Sequence, residues 1–301
     1  MDISQPEKLF YYCSAENALT LLETGNICWL SPAQFNGATE LNQDSGLSFD
    51  KESLTDSSIK LGVNLIFGRE APKGETPILG AIRRWRDAQR FSTHEEAQVV
   101  LKDLLSKMVD QRFEDLQILL QKWRSFCQKF RIVSMFEKPD NFVAWDKYAC
   151  NFSGVVIRFK TGEDSCFNGA RAVTYQNSRP EITSLKEQYT ILFHNQTVNA
   201  EESFQEKFLM KAPPHKNERE WRFFKEDGFC NSSDPTDWTS ELSYEASDLT
   251  TIYLGPYIST EVKERILTAL KNIDSDKKVF QMKFAKGKFD LGADQIHISE
   301  D

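Results

Sequence analysis

Apolar positions along this chain follow two rhythms, every second residue or every third and fourth, and the change between them marks the elements. Lys8 to Cys13, KLFYYC, is aromatic-rich and predicts a strand. Ser14 then caps a helix whose Ala15, Ala18, Leu19 and Leu22 share one face, and Gly25 supplies its left-handed stop. A second strand, NICWLS, follows at once. From Pro32 to about Gly80 the pattern fades. SPAQFNGATELNQDSG and APKGETP read as loops, and Leu61 to Phe67 fits either a helix or a strand.

Helical spacing returns after Ser92. STHEEAQ carries a capping box, Ser92 with Glu95 or Thr93 with Glu96. Ala97, Leu101, Leu104, Leu105 and Met108 make an apolar face that Leu116, Leu119, Leu120, Trp123, Cys127 and Phe130 continue. Two helices or one bent helix are therefore expected between Ser92 and Lys129. Further on, strands are predicted at Arg131–Phe136, Gly154–Phe159, Ala170–Gln176, TIYLGP and VFQMKFA. Helices are predicted from Pro139 and Asp140 to Ala149, from about Glu181 to His194, near Glu201 to Leu209, and after Ser259. The elements mix without regular βαβ spacing, which favours an α+β fold.

Composition narrows the function classes. The chain has 301 residues, so at about 150 per domain either two domains or one larger one fit. Lys plus Arg is 37 against 45 Asp plus Glu, and the net charge of −8 argues against broad phosphate-backbone binding. Six cysteines stand at 13, 28, 127, 150, 166 and 230, with no C-x-x-C pair, which speaks for reduced thiols in a cytoplasmic protein and against a zinc site. No apolar run is long enough to span a membrane, and MDISQPEKLF is not a secretory signal. Neither a P-loop nor a G-x-G-x-x-G motif occurs, and the four histidines show no triad spacing. Without a convincing carboxylate cluster for metal, a nuclease is disfavoured.

The stretch HKNEREWRFF holds the candidate chemistry. In a strand Trp221 and Phe223 point to the core, while Glu218, Glu220 and Arg222 share the other face. Same-face neighbours stand about 7 Å apart. Two carboxylates there repel and raise the pKa of one, which Arg222 partly offsets. One reading is a solvated face with a structural ion pair. The other is a carboxylate beside an aromatic-lined cleft, suited to an oxocarbenium-like transition state. IRRWRDAQR, residues 82–90, is the basic, aromatic run: a solvated helix face, or a nucleic-acid or partner contact.

Five ordered segments resemble the bacterial domain of unknown function 2971: LFYYCSAENALTLLETGNICWLSPAQFN, SMFEKPDNFVAWDKYACNFSGVVIRF, VTYQNSRP, KNEREWRFF and IYLGPYIS. The chain departs from that family at Asn36, Gly37 and Ala38, where Asn-Asp-Pro is usual, with Glu40 near the acidic position that follows, and at Phe136, where a small polar residue is common. Asn36 is expected to fix a turn. More loosely, the opening strand, helix and strand with a later Glu-x-Glu strand resemble the ADP-ribosyltransferase fold. That likeness implies one α+β domain over residues 1–301, built on an antiparallel split sheet, with a helical insertion over 80–130.

The same likeness implies NAD as substrate and no metal. Tyr11 or Tyr12 would contact the nicotinamide end, Ser134 would supply the second-strand hydroxyl, and Glu220 would hold the ribose, with Glu218 as its partner and Arg222 beside them. Trp145 and Tyr148, one helical turn apart, are core residues or, for Tyr148, a stacking surface for nicotinamide or a base. The implied activity is nicotinamide release with ADP-ribosyl transfer to an unknown protein or nucleic-acid acceptor, or NAD hydrolysis, as would suit phage defence or a toxin. The alternative is a non-catalytic sensor module that binds a nucleotide or a partner.

Overall fold

Ser14 and Gly25 bracket the first helix as their chemistry predicts: the Ser14 side chain accepts from the Asn17 amide, and Gly25 adopts a left-handed φ of 68°. The computed structural model describes residues 4–34, 40–195, 201–228, 232, 234–273 and 277–296, so Asn36, Cys230 and His297 lie outside the described residues. In chain order the elements are β1 (Lys8–Cys13), α1 (Ala15–Thr24), β2 (Asn26–Trp29), α2 (Lys51–Phe67), α3 (Pro77–Asp87), α4 (His94–Lys129), β3 (Phe130–Phe136), α5 (Phe142–Tyr148), β4 (Val155–Lys160), β5 (Arg171–Ala172), β6 (Thr174–Tyr175), α6 (Leu185–His194), β7 (Met210–Lys211), β8 (Glu220–Glu226), β9 (Ser240–Ser243), β10 (Leu249–Leu254), α7 (Thr260–Ile273), β11 (Lys278–Phe284) and β12 (Leu291–Ile296). They form two compact units, one from residues 1–40, 127–179 and 209–301, the other from 41–126 and 180–208. The second unit is thus wider than the expected 80–130 insertion and takes in a second segment of chain.

The first unit is built on an eight-stranded sheet in the order β12-β11-β10-β4-β1-β3-β8-β5. The sheet is mixed where a purely antiparallel one was expected, because β10 and β11 run parallel. Helix α7 lies between them in the chain, and such a crossover returns the next strand in the same direction. One face packs Leu9, Val133, Ile157, Trp221 and Phe223 against Leu19 and Leu22 of α1 and Ile266 and Leu270 of α7. The other packs Phe10, Tyr12, Phe136 and Val156 against Trp145 of α5. Burial on both faces explains why KLFYYC reads as a continuous apolar run.

Between β1 and β3 the sheet is barely joined. Their register is a single pair, Phe10 with Phe136, whereas β1 pairs with β4 along its full length. Beyond Phe10 the two strands part. Further on, past the end of β1, Leu30 holds the same edge of β3: its N–H donates to Ile132 O at 3.0 Å and its carbonyl accepts from Ile132 N at 2.8 Å.

In the second unit, the region from Pro32 to Gly80 where the pattern fades holds α2 and the start of α3, and Leu61 to Phe67 is helix. α2 starts on an Asp50 cap and α3 on a Thr76 cap followed by Pro77. One continuous helix, α4, covers His94 to Lys129. Thr93 and Glu96 make its N-terminal bonds: Glu96 N donates to Thr93 Oγ1, and the Glu96 carboxylate reaches Ser92 N. Its buried stripe runs through Ala97, Leu101, Leu105 and Val109, leaving Leu104 exposed. The expected strand at 170–176 is two short strands in different sheets, 201–209 forms 3-10 turns, and β9 and β12 had no counterpart in the sequence reading.

Three arginines of the IRRWRDAQR run make contacts within the second unit. Arg83 donates to Pro72 O and Gly74 O, Arg86 to the α2 carbonyls of Leu65 and Ile66, and the Arg90 guanidinium lies 5.4 Å from both the Trp85 and Phe91 ring centres.

Candidate functional site

Strand register sets the site. Phe136 pairs with Glu220 and Ser134 with Arg222, so Ser134, Phe136, Glu220 and Arg222 share one sheet face. Phe136 packs against Tyr12 of β1 and Tyr148 of α5, with ring centres 5.1 and 5.0 Å apart. This face is not the solvated one that charge alternation allowed. Glu218, Glu220 and Arg222 are all buried, at 1–2 % exposure. Nor does Glu218 belong to the strand. Residues 213–218 form a 3-10 turn, Arg219 takes a left-handed φ of 51°, and β8 starts at Glu220.

The two carboxylates meet on Lys211 at the end of β7. Its ammonium donates to Glu218 Oε2 and Glu220 Oε2, each at 2.7 Å, and to the Tyr148 hydroxyl at 3.1 Å, which uses all three of its protons. Tyr148 in turn donates to Glu218 Oε2 at 3.1 Å. On its other oxygen Glu218 meets His215 Nδ1 at 2.8 Å and Lys147 Nζ at 3.5 Å. Glu220 Oε1 accepts from Ser134 Oγ and Arg222 Nε, both at 2.6 Å. Arg222 reaches on to Glu40 at 2.7 Å. The Glu220 amide donates to the Tyr175 hydroxyl at 2.9 Å.

Electrostatics follow from this packing. Burial would raise the Glu220 pKa, but Arg222 and Lys211 outweigh it and push it down to about 2. Glu218 is lowered for a similar reason: burial opposes ionisation, and Lys211 and Lys147 overcome it. Burial also acts against the charged Lys211, yet Glu220, Tyr148 and Glu218 raise its pKa well above the usual lysine range. Burial pushes the Tyr148 phenol up, and Tyr175 up to about 12. The site thus holds fixed carboxylates and cations with neutral phenols.

A cleft of about 380 Å3 opens where β1 and β3 part. Tyr11, Tyr12 and Cys13 line it from β1, Ile132 to Ser134 and Phe136 from β3, and Lys147, Tyr148 and Cys150 from the end of α5. Its size lies in the range for small-molecule sites. Glu220 stands behind the wall, and Ser134 joins it to the cleft. A larger hollow, about 770 Å3, opens in the second unit beside Pro77, Leu104, Met108 and Leu192, and carries no comparable charge network.

Six of the eight residues singled out from the sequence come together here: Tyr12, Ser134, Tyr148, Glu218, Glu220 and Arg222. Tyr11 borders the cleft but packs toward the opposite face, with Leu9 and Cys13. Tyr12 is on the Glu220 face, its hydroxyl donating to Lys138 O at 2.6 Å and accepting from Asn141 N at 3.2 Å. Trp145 is fully buried in the core beneath Tyr12, and its indole N–H donates to Pro139 O at 2.7 Å. Lys211, Lys147 and His215 were missed. The only sequence signal for Lys211 is a lone cation in FLMKAPP, since lysine in an apolar run needs acidic partners. Among the described residues, no group of three or more His, Cys, Asp or Glu could hold a metal ion, and no helix is long and apolar enough to cross a membrane.

A family described as a protein of unknown function, DUF2971, matches residues 144–223. The match spans Trp145, Tyr148, Lys211, Glu218, Glu220 and Arg222 and stops short of β1, Glu40 and Ser134. No curated protein and no solved structure matches the chain.

Proposed function

We propose that the cleft between β1 and β3 binds NAD, and that the protein releases nicotinamide and passes the ADP-ribosyl group to an acceptor or to water. The observation that carries this reading is the Ser134–Glu220 hydrogen bond at the wall of a cleft opened by the parting of two strands. Where paired strands part, edge N–H and C=O groups face the gap. In β3 the Ile132 peptide groups point to that edge, so those of Ser134, two residues on, do too. A carboxamide such as that of nicotinamide offers the matching acceptor and donor. The ring of Tyr148 supplies a flat surface beside it.

Glu220 acts in this scheme by charge. With a pKa near 2 it stays ionised at neutral pH and takes up no proton. As the bond from the ribose anomeric carbon to nicotinamide breaks, the electron pair leaves with nicotinamide and positive charge grows on the sugar. A fixed carboxylate lowers the energy of that charge. Ser134, Arg222 and Lys211 occupy the Glu220 oxygens, so contact with substrate runs through the Ser134 hydroxyl or follows release of Oε2 by Lys211. The attacking acceptor then loses its proton to solvent or to another base.

Incubation with NAD and measurement of free nicotinamide tests this reading, with Glu220→Gln and Ser134→Ala as comparisons. Release that is no faster than in buffer, or that both folded variants match, removes the enzyme claim. The full engagement of Glu220 favours a second reading, a module that holds a nucleotide without turning it over. Calorimetry with NAD and ADP-ribose separates the two, since the module binds without release of nicotinamide.

A further inference from the structure

At the far end of α5 from Tyr148 lies an aromatic surface that the cleft does not use. Phe289 is 93 % exposed, Tyr257 66 % and Phe284 38 %. They form one connected set of rings. Phe289 packs on Phe142 at 6.0 Å, Phe142 on Phe152 at 4.7 Å, Phe152 on Phe284 at 5.1 Å, and Phe284 on Tyr257 at 5.3 Å. Exposed aromatic area of this extent marks a recognition surface.

The rings are held in place by backbone. Tyr257 N donates to Phe152 O at 3.0 Å. Phe289 projects from the turn between β11 and β12, which closes through Ala285 N to Asp290 O at 2.9 Å and a left-handed Gly287. The same turn carries exposed Lys286 and Lys288, while Asp290 folds back to accept from the Leu291 amide. In a chain of net charge −8 this turn carries two lysines against one aspartate.

We infer that this face docks single-stranded nucleic acid, with bases stacking on Phe289, Phe284 and Tyr257 and phosphates meeting Lys286 and Lys288. Rings beside lysines suit that ligand, because every base has a π-face and every nucleotide a charge. A lipid-inserting tip would present one apolar wedge. Here the exposed rings come from two chain segments and meet at an angle, one of them carries a hydroxyl, and two lysines flank Phe289. Helix α5 spans about 9 Å from Phe142 to Tyr148. A bound strand therefore lies close to the cleft, and, resting on the NAD reading above, it is the acceptor.

The test is fluorescence anisotropy of labelled single-stranded DNA and RNA oligonucleotides with the full chain. Alongside it, flotation is measured with vesicles containing phosphatidylserine. Oligonucleotides are expected to bind, more weakly as salt rises. Phe289→Ala with Tyr257→Ala should cost about tenfold or more in affinity, and Lys286→Glu with Lys288→Glu should flatten the salt dependence. These positions are exposed, so the variants keep the fold. Vesicle binding in place of oligonucleotide binding, no binding at all, or an affinity indifferent to the variants overturns the inference. Oligonucleotide binding by a protein that releases no nicotinamide leaves the docking surface standing and removes only its role as acceptor. Nicotinamide release without oligonucleotide binding does the reverse.

Discussion

Ser134 and Glu220 sit diagonally across the β3–β8 ladder, and the serine hydroxyl donates to the glutamate at 2.6 Å. Ser134 reaches the cleft while Glu220 is buried at 2 % exposure, so one small side chain couples a cavity to a buried charge network. Ser134→Ala removes that link and leaves Arg222 and Lys211 on the carboxylate. Stability should change by only about 1 kcal/mol. Nicotinamide release should fall about tenfold or more. Thermal melting and a nicotinamide assay on the same sample check both halves.

Lys211 is the cation shared by Glu218 and Glu220, and its side chain is 7 % exposed. Lys211→Met leaves two carboxylates buried without it, which should cost about 3–5 kcal/mol. Adding Glu220→Gln should recover part of that loss, because the pair is coupled. Urea denaturation midpoints of the two single variants and the double variant decide the point. Strictly additive losses would contradict the shared-cation arrangement.

Glu220 titrates lower in the fold than in the unfolded chain, about 2 against the usual 4.5. Its ionised form therefore contributes stability that is present above about 4.5 and lost as pH falls toward 2. The contribution is about 3 kcal/mol. Glu218, also lowered, acts with the same sign. Denaturation midpoints measured down this window should drop steeply for the native protein and less steeply for Glu220→Gln.

Gly154 lies where the α5 turn meets β4. A side chain there would run into the backbone oxygens of Ala149 and of Cys13, a residue that lines the cleft. Gly154→Ala should destabilise by about 2 kcal/mol or more. Gly80, inside α3, has open space where a Cβ would sit. Gly80→Ala should instead stabilise by about 0.5–1 kcal/mol. Calorimetric melting of the two variants gives opposite shifts.

Local chemistry made part of this molecule legible in its sequence. Strand β1, helix α1 with its Ser14 and Gly25 ends, the long apolar stripe of α4, and the acid-bearing β8 each depend on neighbours within a few residues. So does the aromatic backing of β8, since Trp221 and Phe223 alternate with Glu220 and Arg222. Helix α2 was hidden because Leu54, Ile59, Val63 and Ile66 are diluted by small and polar residues, so packing rather than pattern decides it.

The site itself was decided in three dimensions. Arg219 in a left-handed conformation takes Glu218 out of the strand, and no spacing rule announces that. Lys211 then brings Glu218 back beside Glu220 from a different strand, while Arg222 bridges to Glu40. The cleft lies between the single β1–β3 pair at Phe10 and Phe136 and the Leu30–Ile132 bridge, two contacts made by segments that are separate in the sequence. Sequence alone determined which residues carry charge and which strands are buried, because those are properties of the side chains and their near neighbours. Tertiary structure decided that the acids are buried, ionised and next to a cavity, because burial and cation pairing depend on segments that are remote along the chain.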